Sequence, residues 1–518
     1  MKIHFVNQED SIIAVGFRKM ASFARSIHPD TKNFFLTLNN FSSPVNMLLG
    51  KTGSIEEMDF GLVREIAEPL AKADMVCFSS MTGYSKMTKS LIKEIKLLNP
   101  RVFIVWGGIH PIIHPEDAIT HADAICTGEG EFAFEEFLNS YREGRDYFNC
   151  RNFWFRKGEE IIRNDFLPLA TNEEMEKFPL PLYGEDELIF KAGRGFSEMT
   201  VLDYLNFNGL GFNTVWSIGC PYKCTYCGNT KFIENDKNYT KIRHTSVDYL
   251  VNQLKLVSQK HPHVSTVIFH DDSFMALPKN LLREFCDKWK REVAMPFCVQ
   301  GVIPSFVNEE KMEFLVDAGL NRVRMGVQSG SDRILKFYER PNKLGLIHSA
   351  AGILSKFSDK MIPPAFDIIL DNPIETRQDV LDTLNMLYYM PRPYTLNVFS
   401  LKVIPNTVLE SQFLDMNISV EEISANYLEN IPTVATILVF LLPVWKPPRF
   451  VYDFLLKFVQ PSKKSQIQFP IVLWFVRAIW LIRRGISHVK MGDFSLIRGP
   501  VGWIFWKLGF TASIKKHL

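Results

Sequence analysis

Three cysteines fall within one short loop, Cys220-Pro-Tyr-Lys-Cys224-Thr-Tyr-Cys227, directly after a strand-like run, 213 to 218 (NTVWSI). The chain has 8 cysteines in all, and no others are grouped this way. In a reducing compartment, three closely spaced thiolates suggest metal before disulfide. Zinc wants a fourth ligand, usually from a second pair at similar spacing. The next cysteines, Cys286 and Cys298, are distant and lie in a helix-like and a strand-like segment. Three thiolates suit instead a four-iron four-sulfur cluster with one iron free of protein ligands and open to chemistry. On spacing alone the cluster, a zinc or structural site, and coincidence all stay open.

A loop of this kind must be held by a rigid frame. Strand-like runs recur at 265 to 270, 296 to 300, 322 to 328, 365 to 370 and 396 to 403, separated by segments long enough for helices. With 213 to 218 they make six β/α units, the pattern of a partial or complete parallel TIM-type barrel over residues 213–410. Upstream, residues 1–145 also alternate. Runs 2 to 6, 74 to 79, 102 to 106 and 123 to 126 are short and apolar, and Thr88 to Leu98 has helical spacing. This predicts an α/β, doubly wound, Rossmann-like or flavodoxin-like domain. Gly107-Gly108 and Gly128-Glu129-Gly130 follow strands there, at the carboxyl edge where such sheets take ligands. Residues 146–212, broken by Pro168, Pro179 and Pro181, read as a surface connector without a strong fold of its own. Residues 411–518 read as a mostly helical region.

Composition excludes wholesale disorder and fibrous repeats: 46% of 518 residues are hydrophobic and 22% charged. The net charge of +2 is an average over unlike parts. From Pro443 to Leu518 there are 13 Lys and Arg against Asp453 and Asp493, or +11, which leaves −9 for the rest. Five of the 9 Trp also lie there. Runs such as 469–484 and 503–507 suit a membrane interface, with Trp at headgroup level and basic residues toward anionic lipid. The competing reading is a helical cap with its apolar face on the barrel and its basic face in water. Long apolar stretches interrupt the basic residues, so no nucleic-acid partner is expected. The start, MKIHFVNQED, reads as a first strand and not as a signal peptide. No uncharged apolar run reaches the ~18 residues a bilayer span needs. A cytoplasmic protein is expected, membrane-associated if the tail meets lipid.

CxxxCxxC after a strand, with Tyr226 before the last cysteine, resembles the signature of the radical S-adenosylmethionine (SAM) superfamily, and similar segments follow over nearly 200 residues. Phe269-His-Asp271-Asp272 stands where the family contacts the methionine amino group. Gly326-Val-Gln328-Ser329-Gly330 resembles its G-[IV]-E-S-G segment, with Gln for the usual Glu, and Arg340 resembles the arginine that follows. Asp367 to Thr376 resembles the fifth-strand D-x-I-x-G-x-P-x-E-T, with Asp371-Asn372 where Gly is common. The resemblance implies that Cys220, Cys224 and Cys227 hold a 4Fe-4S cluster. It also implies that Tyr226, Asp271, Asp272, Gln328, Ser329, Gly330 and Arg340 bind SAM. A neutral Gln328 can still accept a ribose hydrogen bond. For Asp271 and Asp272 the plain alternative is loop capping. The chemistry implied is reductive cleavage of SAM to a 5′-deoxyadenosyl radical, with a flavodoxin or ferredoxin as electron donor.

Ser79-Ser80-Met-Thr82-Gly83, Trp106-Gly107-Gly108-Ile-His110-Pro111 and Thr127-Gly128-Glu129-Gly130 resemble, in order and spacing, the cobalamin-binding domain that precedes the barrel in one large class of the superfamily. This implies cobalamin as a further cofactor, bound by Ser79, Ser80, Thr82, Gly107, Gly108, His110, Gly128 and Glu129. His110 and His114 also read as turn residues beside proline. The D-x-H-x-x-G motif that supplies an axial histidine elsewhere is missing. The class implies an enzyme, ranked first as a methyltransferase acting on an unactivated carbon of a small, apolar, lipid-like substrate. Radical carbon–carbon coupling or cyclisation is the runner-up, and a cobalamin- or redox-sensing binding protein is the non-enzymatic alternative.

Overall fold

The computed structural model describes residues 1–9, 12–37, 60–181, 187–340, 343–420, 430–461 and 467–511. In the N-terminal sheet β1 (Ile3–Gln8), β2 (Thr31–Leu36), β3 (Met75–Ser80), β4 (Phe103–Gly107) and β5 (Ala124–Cys126) run parallel in the order β5-β4-β3-β1-β2. Every residue of β1 is buried, as a strand covered on both faces requires. Ile3, Phe5, Met75 and Cys77 pack against the helices Val15–Ile27 and Glu131–Arg142, while Val6, Val76 and Phe78 pack against Phe60–Leu70 and Ser85–Leu98. The alternation of side chains along each strand sorts these two sets.

The segment read as a surface connector carries strands. β6 (Phe153–Lys157) and β7 (Glu160–Arg163) add antiparallel beyond β5, and β8 (Glu187–Lys191) adds parallel beyond β2 with β9 (Gly195–Glu198) outside it. Among the described residues the sheet therefore has nine strands, with both edges supplied by residues that follow the α/β core in sequence. A buried Arg18–Glu187 ion pair ties the first helix to β8.

The second sheet contains β10 (Gly211–Thr214), β13 (Thr266–Phe269), β14 (Phe297–Val302), β15 (Leu320–Gln328), β16 (Ala365–Leu370) and β17 (Thr395–Ser400), all parallel and in sequence order. It is a six-stranded partial barrel. The run 213 to 218 is not one strand: β10 stops at Thr214, and β11 (Ser217–Ile218) pairs antiparallel with β12 (Arg243–His244). Trp216 is buried between them and packs on Phe285, so apolar content alone made the run look continuous.

Helices Val434–Leu441 and Pro470–Lys490 pack on each other, and Gly499–Lys507 packs on Val201–Asn208. Leu210 N, just before β10, donates to Ser495 O at 3.1 Å, and a Cβ on Gly209 would collide with that same carbonyl. Arg322 Nη1 and His488 Nδ1 each lie 3.3 Å from Asp493 Oδ2, whose side chain is fully buried. Arg484 Nη1 donates to Asn397 Oδ1 at 3.2 Å. Part of the basic charge of this region thus closes the amino end of the barrel instead of facing solvent. Among the described residues no helix is long and apolar enough to cross a membrane.

Candidate active site

The cysteine loop is held by its backbone. Cys220 N donates to Tyr239 O at 3.2 Å, Thr225 N to Tyr338 O at 3.0 Å and Cys227 N to Cys224 O at 2.9 Å. Gly219 has φ +114°, and a side chain there would strike Lys241 O. Cys224 is buried, and Cys220 and Cys227 are half-buried. Burial pushes the Cys220 thiol up to about 11 and the Cys227 thiol to about 12, so a metal taken up here displaces protons. Among the described residues no three His, Cys, Asp or Glu side chains converge on a single-ion site. The set is sulfur-only and spread over a loop, the donor chemistry of a cluster.

Arg340 sits over this loop. Its Nη1 lies 3.5 Å from Cys224 Sγ and 3.2 Å from Tyr226 Oη, and its Nη2 donates to Gly326 O at 2.7 Å. Its buried Nε has no partner among the described residues. A Cβ on Gly326 would come within 2.7 Å of Gln328 Nε2 and 2.8 Å of Arg340 Nη2, so the missing side chain leaves a small cradle beside the guanidinium. Gln328 turns out of β15 with φ +76°. Asp272 Oδ2 accepts from Tyr239 Oη at 3.3 Å, on the cysteine side. Tyr226 packs edge-on against Tyr338, whose hydroxyl accepts from Asn372 Nδ2 at 2.9 Å. This is where the Asp371-Asn372 departure acts: Asn372 braces Tyr338, and Asp371 accepts from Ser400 Oγ at 2.6 Å. The polar edge near Arg340 and Gly326 fits a zwitterionic nucleoside ligand beside the cysteines.

Three residues assigned to SAM have other work. Asp271 accepts from Trp216 N at 3.2 Å and from Ser217 N and Oγ at 2.6 and 2.5 Å, inside the protein. Burial pushes its carboxyl up to about 6 against those bonds. It fixes the approach to the cysteine loop and leaves Asp272 as the carboxylate facing it. Ser329 Oγ is spent on Ser331 N at 3.1 Å and on Thr383 Oγ1 at 3.3 Å. Gly330 is required by packing, since its Cβ would lie 2.5 Å from Thr383 Cα in the helix Arg377–Tyr389.

The carboxyl edge of the first sheet faces the second across a cavity of about 450 Å3. Ser79, Ser80, Gly107, Gly108 and Gly128 line one wall, and Val215, Phe232 and His270 line the other. Gly108 has φ +87°, and a Cβ there would lie 2.8 Å from Ser80 N, so only glycine brings this edge so close to β3. Thr82 has a buried hydroxyl with no partner among the described residues. The glycine edge and the open volume fit a large planar ligand, and Thr82 stands beside that volume without lining it.

His110 and Glu129 do not join that wall. His110 is buried against Trp106 with ring centroids 5.0 Å apart, and its Nε2 pairs with Asp117 Oδ2 at 2.9 Å. Burial holds it down at about 4, so it is a neutral core histidine. Glu129 is tied to Arg243 of β12 at 2.6 Å and accepts from Ala170 N at 2.9 Å, clamping the end of β5 to the small β11–β12 ribbon of the second domain. The Ser80 hydroxyl likewise accepts from Trp106 Nε1 at 2.9 Å.

Sequence reasoning missed two residues at this junction and one in the barrel. Lys19 Nζ reaches Val215 O at 3.4 Å, and burial lowers it against the pull of Glu131, Asp271 and Glu129. His270 Nε2 bonds Asn213 Oδ1 at 2.7 Å. Asp379 accepts from Ser331 Oγ at 2.6 Å, Arg333 Nη2 at 2.5 Å and Thr376 Oγ1 at 2.6 Å. The signal for Asp379 was present, since Thr376-x-x-Asp379 is a helix cap of the Ser/Thr-x-x-acid type.

Glu375 gives this region a pH dependence. Burial, with Asp371 beside it, pushes its carboxyl from an ordinary 4.5 up to about 8. The folded chain then holds a proton that the unfolded chain releases, so this contribution to stability is complete below about pH 4.5 and is lost as pH rises through 8. The urea midpoint is expected to fall between pH 5 and 8, and to fall less steeply in Glu375→Gln.

Two family models match the chain: the radical SAM superfamily over residues 214–387 and the B12 binding domain over residues 60–138. The uncharacterized methyltransferase PH0819 of Pyrococcus horikoshii is 23% identical over 64% of this chain and 67% of its own length. The cobalamin-dependent radical SAM methyltransferase TokK of Streptomyces tokunonensis is 21% identical over 67% of this chain and 50% of its own. The anaerobic magnesium-protoporphyrin IX monomethyl ester cyclase of a Synechocystis species is 22% identical over 59% and 57%. The chain thus spans between half and two thirds of these relatives. Among solved structures, the radical SAM methyltransferase TsrM of Kitasatospora setae, with cobalamin and a [4Fe-4S] cluster bound, superposes with TM-score 0.60 at 15% identity, over 80% of this chain and 75% of that one. The cobalamin-dependent radical SAM enzyme OxsB superposes with TM-score 0.60 at 14% identity, over 100% and 76%.

Proposed function

We propose that this chain, which carries a radical SAM domain preceded by a B12-binding domain, is an enzyme that methylates an unactivated carbon of a small, apolar, lipid-like molecule. The observation that carries the reading is the cavity of about 450 Å3 between the glycine edge of the first domain and Val215, Phe232 and His270 of the second. Such a space brings a ligand held by one domain up to one held by the other, which transfer between them requires.

In this proposal Cys220, Cys224 and Cys227 hold the 4Fe-4S cluster. Tyr226, Asp272, Gln328 and Arg340 surround SAM, and Ser79, Thr82, Gly107, Gly108 and Gly128 seat cobalamin. When bound, these groups supply reductive cleavage of a carbon–sulfur bond and a transferable methyl. The protein does the positioning. Arg340 places a cation 3.5 Å from the Cys224 sulfur and so offsets thiolate charge. Phe5, Ile13, Ile112, Phe134 and Phe153 give the cavity apolar walls that exclude water and accept an apolar substrate. The Glu129–Arg243 pair holds the two domains in register. A flavodoxin- or ferredoxin-like protein supplies electrons.

The test is anaerobic reconstitution of the full chain, followed by incubation with methyl-labelled SAM and a lipid extract. About one cobalt per chain, deoxyadenosine release and label in an extractable product are expected. Deoxyadenosine without label transfer would replace methylation by coupling or cyclisation, and failure to retain cobalt would overturn the cobalamin assignment.

A further inference from the structure

The helix Pro470–Lys490 has two unlike faces. Its inner face is fixed to the barrel: Trp480 Nε1 donates to Thr395 Oγ1 at 3.0 Å, Arg484 bonds Asn397, and His488 lies against Asp493. Its outer face carries Ile471, Phe475, Ile479, Ile482, Ile486 and Val489, each between 53% and 71% exposed. Their spacing of three and four residues makes one continuous stripe along the helix. The polar anchors on the inner face prevent the helix from rolling to bury it. Phe450 and Phe454 on Arg449–Leu456, and Trp503 and Ile504 on Gly499–Lys507, are also exposed. An outward apolar surface of this extent marks a contact site in a protein stable in water.

Charge says what covers it. Between Pro443 and Leu518 the only acids are Asp453 and Asp493. Asp453 is paired with Arg449 at 2.8 Å, and Asp493 is buried. Arg483 and Lys490 are exposed on one shoulder of the stripe, and Lys507 lies 4.2 Å from the Trp506 ring centre on the neighbouring helix. Beside the stripe, a crevice of about 200 Å3 opens between this helix and the barrel, lined by Trp480, Arg483, Arg484, Ser487, Lys490 and Thr395. Arg484 is largely buried there, and burial lowers it to about 10. A protein partner fitted to an apolar stripe has no need of a uniformly cationic rim. An anionic bilayer matches both parts, with acyl chains against the isoleucines and phosphates against the cations.

We propose that this surface docks the enzyme in the plane of an anionic membrane, with a phosphate headgroup in the Arg483–Lys490 crevice. Docking is independent of the reaction; only the further clause, that an apolar substrate enters from that membrane, rests on the proposed function.

Flotation of the full chain with phosphatidylcholine vesicles, with and without 30 mole per cent phosphatidylglycerol (~30%, enough to give the surface potential that attracts cations), tests docking without any turnover. The chain is expected to float with the anionic vesicles and be released by high salt. Ile482→Glu is expected to weaken binding at least ~10-fold, and Lys490→Glu about fivefold or more. Both residues are exposed, so neither variant should change the melting temperature. The proposal is overturned if the chain stays with the unbound fraction at low salt, or if Ile482→Glu instead dissociates a dimer and leaves flotation unchanged. If docking holds but methyl transfer fails, only the substrate clause falls.

Discussion

Cys224→Ala is expected to abolish cluster assembly and SAM cleavage while the chain stays folded. Cys224 is the buried member of the three cysteines and the one nearest Arg340. Two half-buried thiolates do not replace it. A residue that only orients a metal ligand commonly costs 10–100-fold when removed, so losing a ligand is expected to cost at least ~1000-fold. The fold should survive, because the loop is held by Cys220 N to Tyr239 O, Thr225 N to Tyr338 O and the Asp271 bonds to Trp216 and Ser217, none of which uses the Cys224 sulfur. Iron content, the visible absorption of the reconstituted protein and deoxyadenosine release check the first half. The thermal melt against cluster-free wild type checks the second. Collapse of the fold would point to a structural cluster and the sensing alternative.

Asp493→Ala is expected to be the most damaging change outside the cysteine loop. The carboxylate is fully buried, yet Arg322 and His488 at 3.3 Å hold it well below the usual range against the upward push of burial. Removing it strands the buried Arg322 cation, a loss of about 3–5 kcal/mol for a broken buried pair. Arg322→Met placed on top should recover part of the loss, since no unpaired charge then remains. Urea unfolding of the single and double variants measures the recovery. A double variant less stable than Asp493→Ala would assign Arg322 its value through Cys298, whose sulfur its Nε approaches at 3.1 Å.

What could be read in advance follows how local each signal is. The apolar runs that became β1, β3, β4, β5 and β13 to β17 lie within a few residues of their expected places, because a strand buried on both faces is a continuous apolar word. β2 and the four strands between Phe153 and Glu198 escaped: β2 is buried at five of its six positions but opens on the polar Thr31, Lys32 and Asn33, which break the apolar run. β6 to β9 are four or five residues long and partly exposed, paired as two hairpins that only their docking on β5 and β2 makes part of the large sheet. The same limit applies to the site. Cys220, Cys224 and Cys227 share one loop with Arg340 set against Cys224, whereas Asp271 and His110 sit in motifs that look like ligand contacts but are bonded inside the protein, and Glu129 is taken up by Arg243. A motif names a position on a strand end; it does not say whether the carboxylate there meets a ligand or the backbone of the next loop. Lys19 belongs to no motif, and His270 was passed over inside the segment that carries Asp271 and Asp272; only the packing of the two domains sets Lys19 on Val215 O and His270 on the wall of the cavity.

The bond from Leu210 to Ser495 has a consequence for how the protein is made. The first barrel strand is made before the other five, yet its entry is sealed by a segment translated after all six, with a glycine at 209 reserved for that later arrival. Until then the amino end of the barrel is unclosed, and Arg322 waits without Asp493. A chain released prematurely therefore carries an unfinished, charged floor that a chaperone or protease can recognise.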